Sequence, residues 1–109
     1  MDQTVRLDEA ADGRTIELRI GQLVEICLLE NRTTGFRWHL HSSGAPVCLL
    51  TQESFVPVAS QPGSAGVHRW QFQATQTGNA RIGLGYSRPW ESETPAKTFA
   101  AAVQVTDKT

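Results

Sequence analysis

The sequence predicts an all-β sandwich of seven or eight mostly antiparallel strands. Three observations carry this. Apolar and polar residues alternate in stretch after stretch, as in strands that bury one face. Turn signals rich in Gly, Asn and Pro separate those stretches. No segment has the apolar stripe at every third or fourth position that an amphipathic helix needs. The chain has 109 residues, and residues 1–109 read as a single domain long enough to bury a core without metals or disulfides.

Taken in order, residues 4–7 read as a first strand, and Asp12 and Gly13 mark a turn. Residues 15–20 alternate polar and apolar. Gly21 and Gln22 break the pattern, and residues 23–29 follow as an apolar, partly β-branched strand. A polar connection, residues 31–36, is longer than a tight hairpin turn requires. Beyond it Phe36, Trp38 and Leu40 alternate with Arg37, His39 and His41. Residues 42–46 are a turn cluster, 47–50 a short apolar strand, and 54–58 an edge segment interrupted by Pro57. Residues 59–65 are small and polar and read as a loop. In residues 68–75, Trp70, Phe72 and Ala74 share one face and Arg69, Gln71 and Gln73 the other. After a turn at 76–79, Ala80, Ile82, Leu84 and Tyr86 alternate with Arg81, Gly83 and Gly85. Residues 87–96 form a loop holding Pro89 and Pro95. The last strand, 98–106, turns Phe99, Ala101, Val103 and Val105 one way. Trp38 resembles the core tryptophan of immunoglobulin-type sandwiches. Cys48 does not lie on the late strand where an antibody-type disulfide would need it. The expected fold is therefore an immunoglobulin-like β-sandwich without the antibody disulfide.

Composition narrows the function classes. Hydrophobic residues are 39% and charged residues 19%, a globular balance. The formal net charge is −1, with no basic run or face, which argues against nucleic acid. No apolar run approaches the length of a membrane span, so no membrane insertion is expected. Residues 1–7 lack the apolar core of a signal peptide. The expected compartment is the cytoplasm, or the periplasm or exterior if a leader has been removed. The pattern puts Cys27 on the face opposite Ile26 and Leu28, and two free thiols, Cys27 and Cys48, are preferred over a disulfide.

In a sandwich, alternate loops emerge at the same end. The loops around Thr33, Gly66 and Trp90 are expected to share one end and form one binding edge. Arg88, Pro89 and Trp90 join a guanidinium fork, a φ-locked residue and a large indole. Arg and Trp are residue types common in interface hot spots, and Pro reduces the entropy lost on binding.

Three motifs in order give the chain a family resemblance. The stretch Asn31, Arg32, Thr33, Thr34, Gly35, Phe36 matches an Asn-Pro-Thr-Thr-Gly-aromatic loop, with Arg32 in place of Pro. Gly63, Ser64, Ala65 and Gly66 match a Gly-x-Gly-Gly loop, with Ala65 in place of a Gly. Arg88, Pro89 and Trp90 match Arg-Pro-Trp in full. With these motifs, and with compatible strands between them, the sequence resembles the chagasin-type inhibitors of papain-like cysteine peptidases over nearly its whole length. The resemblance implies a reversible, tight-binding inhibitor and not an enzyme, needing no cofactor and no metal and acting as a monomer. It implies that Thr33, Thr34, Gly35 and Phe36 sit centrally in the cleft of a papain or cathepsin-L-type enzyme. Residues 63–66 and 88–90 would flank them. Arg32 removes a backbone constraint and adds a charge beside the cleft. Ala65 requires a rearranged loop if its position demands positive φ.

Other readings compete. His39 and His41, two apart on a strand, suggest a metal pair, but the pattern places no further ligand, so a solvent-facing pair is the simpler reading. His68 either touches a partner or is a plain surface residue. Cys27 has no basic neighbour in the pattern to activate it. Glu91 either pairs with Arg88 or is solvated. The alternative function is a non-inhibitory immunoglobulin-like adhesion or carbohydrate-binding module, with Trp90 and Tyr86 stacking on a sugar. A sugar platform has no need of Thr33, Thr34 and Gly35, whereas a cleft plug does.

Overall fold

A computed structural model describes residues 3–57, 65–88, 90 and 95–107. The strands are β1 (Val5–Leu7), β2 (Thr15–Arg19), β3 (Leu23–Asn31), β4 (Arg37–Ser43), β5 (Cys48–Pro57), β6 (Ala65–Ala74), β7 (Gly78–Ser87) and β8 (Lys97–Thr106). They form two four-stranded sheets, in the orders β1-β3-β6-β5 and β2-β8-β7-β4. Only β1 with β3 and β2 with β8 pair in parallel among these strands. The all-β sandwich expected from the alternation is the observed architecture.

The alternation sets the core. Ile26 and Leu28 of β3, Trp70 and Phe72 of β6, Ile82 and Leu84 of β7, and Phe99, Ala101 and Val103 of β8 all turn inward and are buried. Trp38 is buried with them, and its ring packs on Tyr86 at 4.9 Å. Cys48 is buried, Cys27 is half-buried on the outer face of β3, and both are free thiols.

Several boundaries differ from expectation. Residues 47–50 and 54–58 are not two segments. Residues 48–57 form one strand, its ladder with β6 running from Cys48↔Ala74 to Pro57↔Gly66 with a bulge between Leu50 and Gln52. The polar residues between do not interrupt it, because β5 is an edge strand largely exposed on its way along the sheet. Strand β6 begins at Ala65, not at His68, and β4 runs on to Ser43 through a bulge between Leu40 and Ser42. A short 3-10 turn, Glu9–Ala11, capped by Asp8, was not signalled by any periodicity.

Strand β1 covers only Val24 to Ile26 of β3, so the upper part of β3 has an open edge. Side chains close it. The Leu29 N–H donates to Glu9 Oε2 (2.6 Å), the Leu29 carbonyl accepts from Trp38 Nε1 (2.9 Å), and the Asn31 N–H donates to the Tyr86 hydroxyl (3.0 Å). Two of those three partners belong to the opposite sheet, so the caps also tie the layers together.

Between the layers at this end lies Glu30, with no exposed surface. Its Oε1 accepts from the Trp38 N–H (2.7 Å) and faces His68 Nδ1 (3.0 Å), and its Oε2 accepts from Arg32 Nε (2.6 Å). His68 is 6% exposed, stacks on Trp70 at 4.0 Å, and reaches Glu53 Oε2 with Nε2 at 2.7 Å. Each ring nitrogen of His68 thus faces a carboxylate oxygen, Nδ1 that of Glu30 and Nε2 that of Glu53. The expectation of a partner-facing or surface His68 is thus corrected. The residue shares the inward parity of Trp70 and Phe72, and it serves as a buried link. Burial opposes ionisation of Glu30, yet the hydrogen bonds from His68, the Trp38 N–H and Arg32 outweigh it and hold the carboxyl below the ordinary glutamate range.

Gly66 allows β5 to close over this cluster. A Cβ there would overlap Phe55 Cζ and stand 2.6 Å from the Val56 carbonyl oxygen. Gly66→Ala is expected to lower stability by about 1–3 kcal/mol. An unchanged urea midpoint would mean that Phe55 does not pack there. The Glu30 carboxyl is harder to protonate folded than unfolded. The unfolded chain therefore binds more protons just below the ordinary glutamate value, and stability falls as pH drops through that window. Glu30→Gln should cost about 2 kcal/mol at neutral pH and flatten this acid limb. Urea titrations from neutral to acid pH test it, and an identical acid limb in both proteins would refute an ionised Glu30.

Candidate functional site

The strand ends bring three connections to one end of the sandwich. Asn31 pairs with Ala65, Pro57 with Gly66, Arg37 with Ser87, and Tyr86 with Lys97. The β5–β6 connection is a hairpin of one sheet and the β7–β8 connection a hairpin of the other. The β3–β4 connection crosses between the sheets.

The first loop is a 3-10 turn, Arg32–Thr34, closed by the Gly35 N–H donating to the Arg32 carbonyl at 3.2 Å. The Thr34 hydroxyl donates back to the Asn31 carbonyl at 2.8 Å, and Thr34 is exposed. Gly35 has φ +84°, a conformation that side-chain-bearing residues rarely adopt. Phe36 does not face solvent fully. Its ring stacks on Tyr86 at 5.1 Å and 19°, holding the loop from beneath.

The third loop interlocks with the first. Arg88 Nε donates to the Thr34 carbonyl at 3.1 Å, and its guanidinium lies 4.5 Å from the Phe36 ring centroid. The Trp90 indole rests against the bare Cα of Gly35. A Cβ there would lie 2.6 Å from Trp90 Cη2. Trp90 is nonetheless 71% exposed. It is an apolar projection braced at its inner edge, not a residue folded back into its own domain. Pro89 and Glu91 lie outside the described residues. At the foot of the loop, a Cβ on Gly85 would meet His41 Nε2 at 2.6 Å and Pro95 Cγ at 2.9 Å, so His41 packs beside the returning chain.

Of the second motif, Gly63 and Ser64 lie outside the described residues. Ala65 and Gly66 are strand, not loop: both pair across β6 with β3. Ala65 replaces glycine without strain, since no described non-glycine residue has positive φ. The rearrangement that would follow from a positive φ there is not needed.

Further expectations are corrected. Tyr86, offered as a surface aromatic, is 7% exposed and committed to Asn31 and Phe36. Cys27 does have a basic neighbour, its cross-strand partner Arg69. Burial, with help from Glu25, outweighs Arg69 and pushes the thiol up, so it is not activated. The bulge in β4 falls at His41 and breaks the regular spacing from His39. Among the described residues no group of three or more His, Cys, Asp or Glu is arranged to hold a metal ion. None of their helices is long and apolar enough to cross a membrane. The functional residues that sequence patterning missed are Glu30 and Glu53. Glu30 had a signal: the inward parity of Ile26 and Leu28, carried one step further, lands on it.

The model of the chagasin family, peptidase inhibitor I42, matches residues 17–103. Chagasin of Trypanosoma cruzi is 29% identical over 90 residues, covering 78% of this chain and 82% of the relative. Amoebiasin-1 of Entamoeba histolytica is 32% identical over 102 residues, covering 91% and 97%. The crystal structure of the cysteine protease inhibitor EhICP2 from Entamoeba histolytica superposes with a TM-score of 0.85 at 26% identity, over 94% of this chain and 96% of that one. The chain belongs to the chagasin family, a family of peptidase inhibitors and not of enzymes.

Proposed function

We propose that this protein is a reversible, tight-binding inhibitor of papain-like cysteine peptidases, which it blocks by seating its three-loop end in the active-site cleft. The observation that carries the reading is the interlock of the first and third loops through Arg88, Thr34, Gly35 and Trp90. A loop end already braced in one shape loses little entropy on binding. Thr33 and Thr34 are stiff at χ1 by virtue of their branching. Thr33, Thr34 and Gly35 form the central contact, with Phe36 as their support. Residues 63–66 line one side, and Arg88, Pro89 and Trp90 the other. Similarity to a cysteine protease inhibitor over nearly the whole chain supports the target class. The carbohydrate alternative is weakened, because Tyr86 is buried and leaves Trp90 without its partner aromatic.

Inhibition without cleavage follows from the turn at Gly35. The backbone there leaves the cleft at positive φ, so no carbonyl of the first loop is offered to the peptidase thiolate at attack geometry. Two experiments test the reading. Titration into papain, read by hydrolysis of a fluorogenic peptide, should abolish activity near stoichiometry and recover it on dilution. Trp90→Ala should weaken binding by about 2 kcal/mol or more. No inhibition by a folded sample across several papain-like enzymes would sink the proposal. On a gel, the inhibitor should remain intact with stoichiometric enzyme, and quantitative cleavage within residues 31–36 would overturn the blocking geometry.

A further inference from the structure

Arg32 stands where the family motif has proline, and by itself the exchange frees the backbone. The structure supplies a different restraint at the same residue. Arg32 opens the 3-10 turn of the first loop, and its side chain is only 34% exposed. The Nε atom donates to Glu30 Oε2 at 2.6 Å, and the guanidinium carbon lies 3.8 Å above the Phe55 ring centroid. The loop's first residue is thus fastened both to the strand that leads into it and to edge strand β5.

Glu30 is a rigid anchor for this purpose. It is fully buried, and its other oxygen accepts from the Trp38 N–H and faces His68. Trp38 lies in β4, on the far side of the loop. One carboxylate therefore holds both sides of the connection between β3 and β4: Arg32 on the way in and Trp38 on the way out. The planar fork suits this double role, since it hydrogen-bonds in its plane while stacking on Phe55 with its face.

We propose that Arg32 is a positioning residue: clamped between Glu30 and Phe55, it holds the first loop in its blocking shape before a peptidase is met. It takes over the restraint that a proline ring supplies by fixing φ. Arg32 thereby acts through the loop and not as a charged contact to the target. The proposal rests on the inhibitor reading only for its effect on inhibition; the effect on the free loop is independent of it.

The test compares the whole chain as wild type, Arg32→Ala, Arg32→Lys, Arg32→Pro and Phe55→Leu. Amide hydrogen exchange is read at Gly35 in the free protein, and papain inhibition is read in parallel. Arg32→Ala should speed Gly35 exchange by about tenfold or more, because its N–H closes the turn onto residue 32. It should weaken inhibition by about tenfold. Arg32→Pro fits the first position of the turn and should restore both. Arg32→Lys keeps the charge without the fork and should restore them in part. Phe55→Leu keeps the ion pair and should loosen the loop to an intermediate degree; it decides the matter if Arg32→Ala does not fold. Unchanged Gly35 exchange in Arg32→Ala and Phe55→Leu, or Arg32→Pro exchanging as fast as Arg32→Ala, overturns the proposal. A loosened loop with undiminished inhibition supports the clamp and removes the first loop from the inhibitory contact.

Discussion

A carboxylate withdrawn from water needs hydrogen bonds to both oxygens, and meeting that need at Glu30 draws together the described elements beneath the loops. Each donor comes from a different element: Arg32 from the first loop, the Trp38 N–H from β4, and His68 from β6. His68 then extends the network to Glu53 on β5. An apolar residue at position 30 would fill the space but fasten none of these. The charge costs desolvation energy and gives a fixed relation between two sheets and a loop.

Above this cluster the described residues of the first and third loops are braced mainly by contacts to backbone and glycine. Tyr86 is the shared support, accepting from the Asn31 N–H while its ring carries Phe36 and packs on Trp38. Arg88 reaches across to the Thr34 carbonyl, and the indole of Trp90 leans on Gly35. Rigidity is built beneath the rim, and the rim itself stays exposed. That division suits a plug, whose tip must contact another protein while its shape is decided by its own.

Much of the fold was legible because strand alternation is a local signal. The alternating sets Trp70, Phe72 and Ala74, and Ile82 and Leu84, are buried. Legibility failed where one face of a strand lacks cover. Strand β5 carries polar residues through its middle because it is an edge strand, so its apolar pattern breaks while its ladder does not. It failed again where an inward position is polar. Glu30 and His68 obey the alternation, but a charged residue at a strand end reads as the start of a loop unless its partners are known. Those partners are distant in sequence, with His68 38 residues from Glu30.

From its sequence alone the chain determined the all-β class, most of the inward faces, the order of the three motifs and, through them, the family. Those follow from period and composition, which each segment carries by itself. Only the tertiary structure decided that Arg32 is pinned, that Ala65 is unstrained strand, and that Trp90 stands exposed against Gly35. These depend on which strands lie side by side and which side chains meet across the two sheets. Such meetings are set by packing between segments far apart in the chain, and no local pattern encodes them.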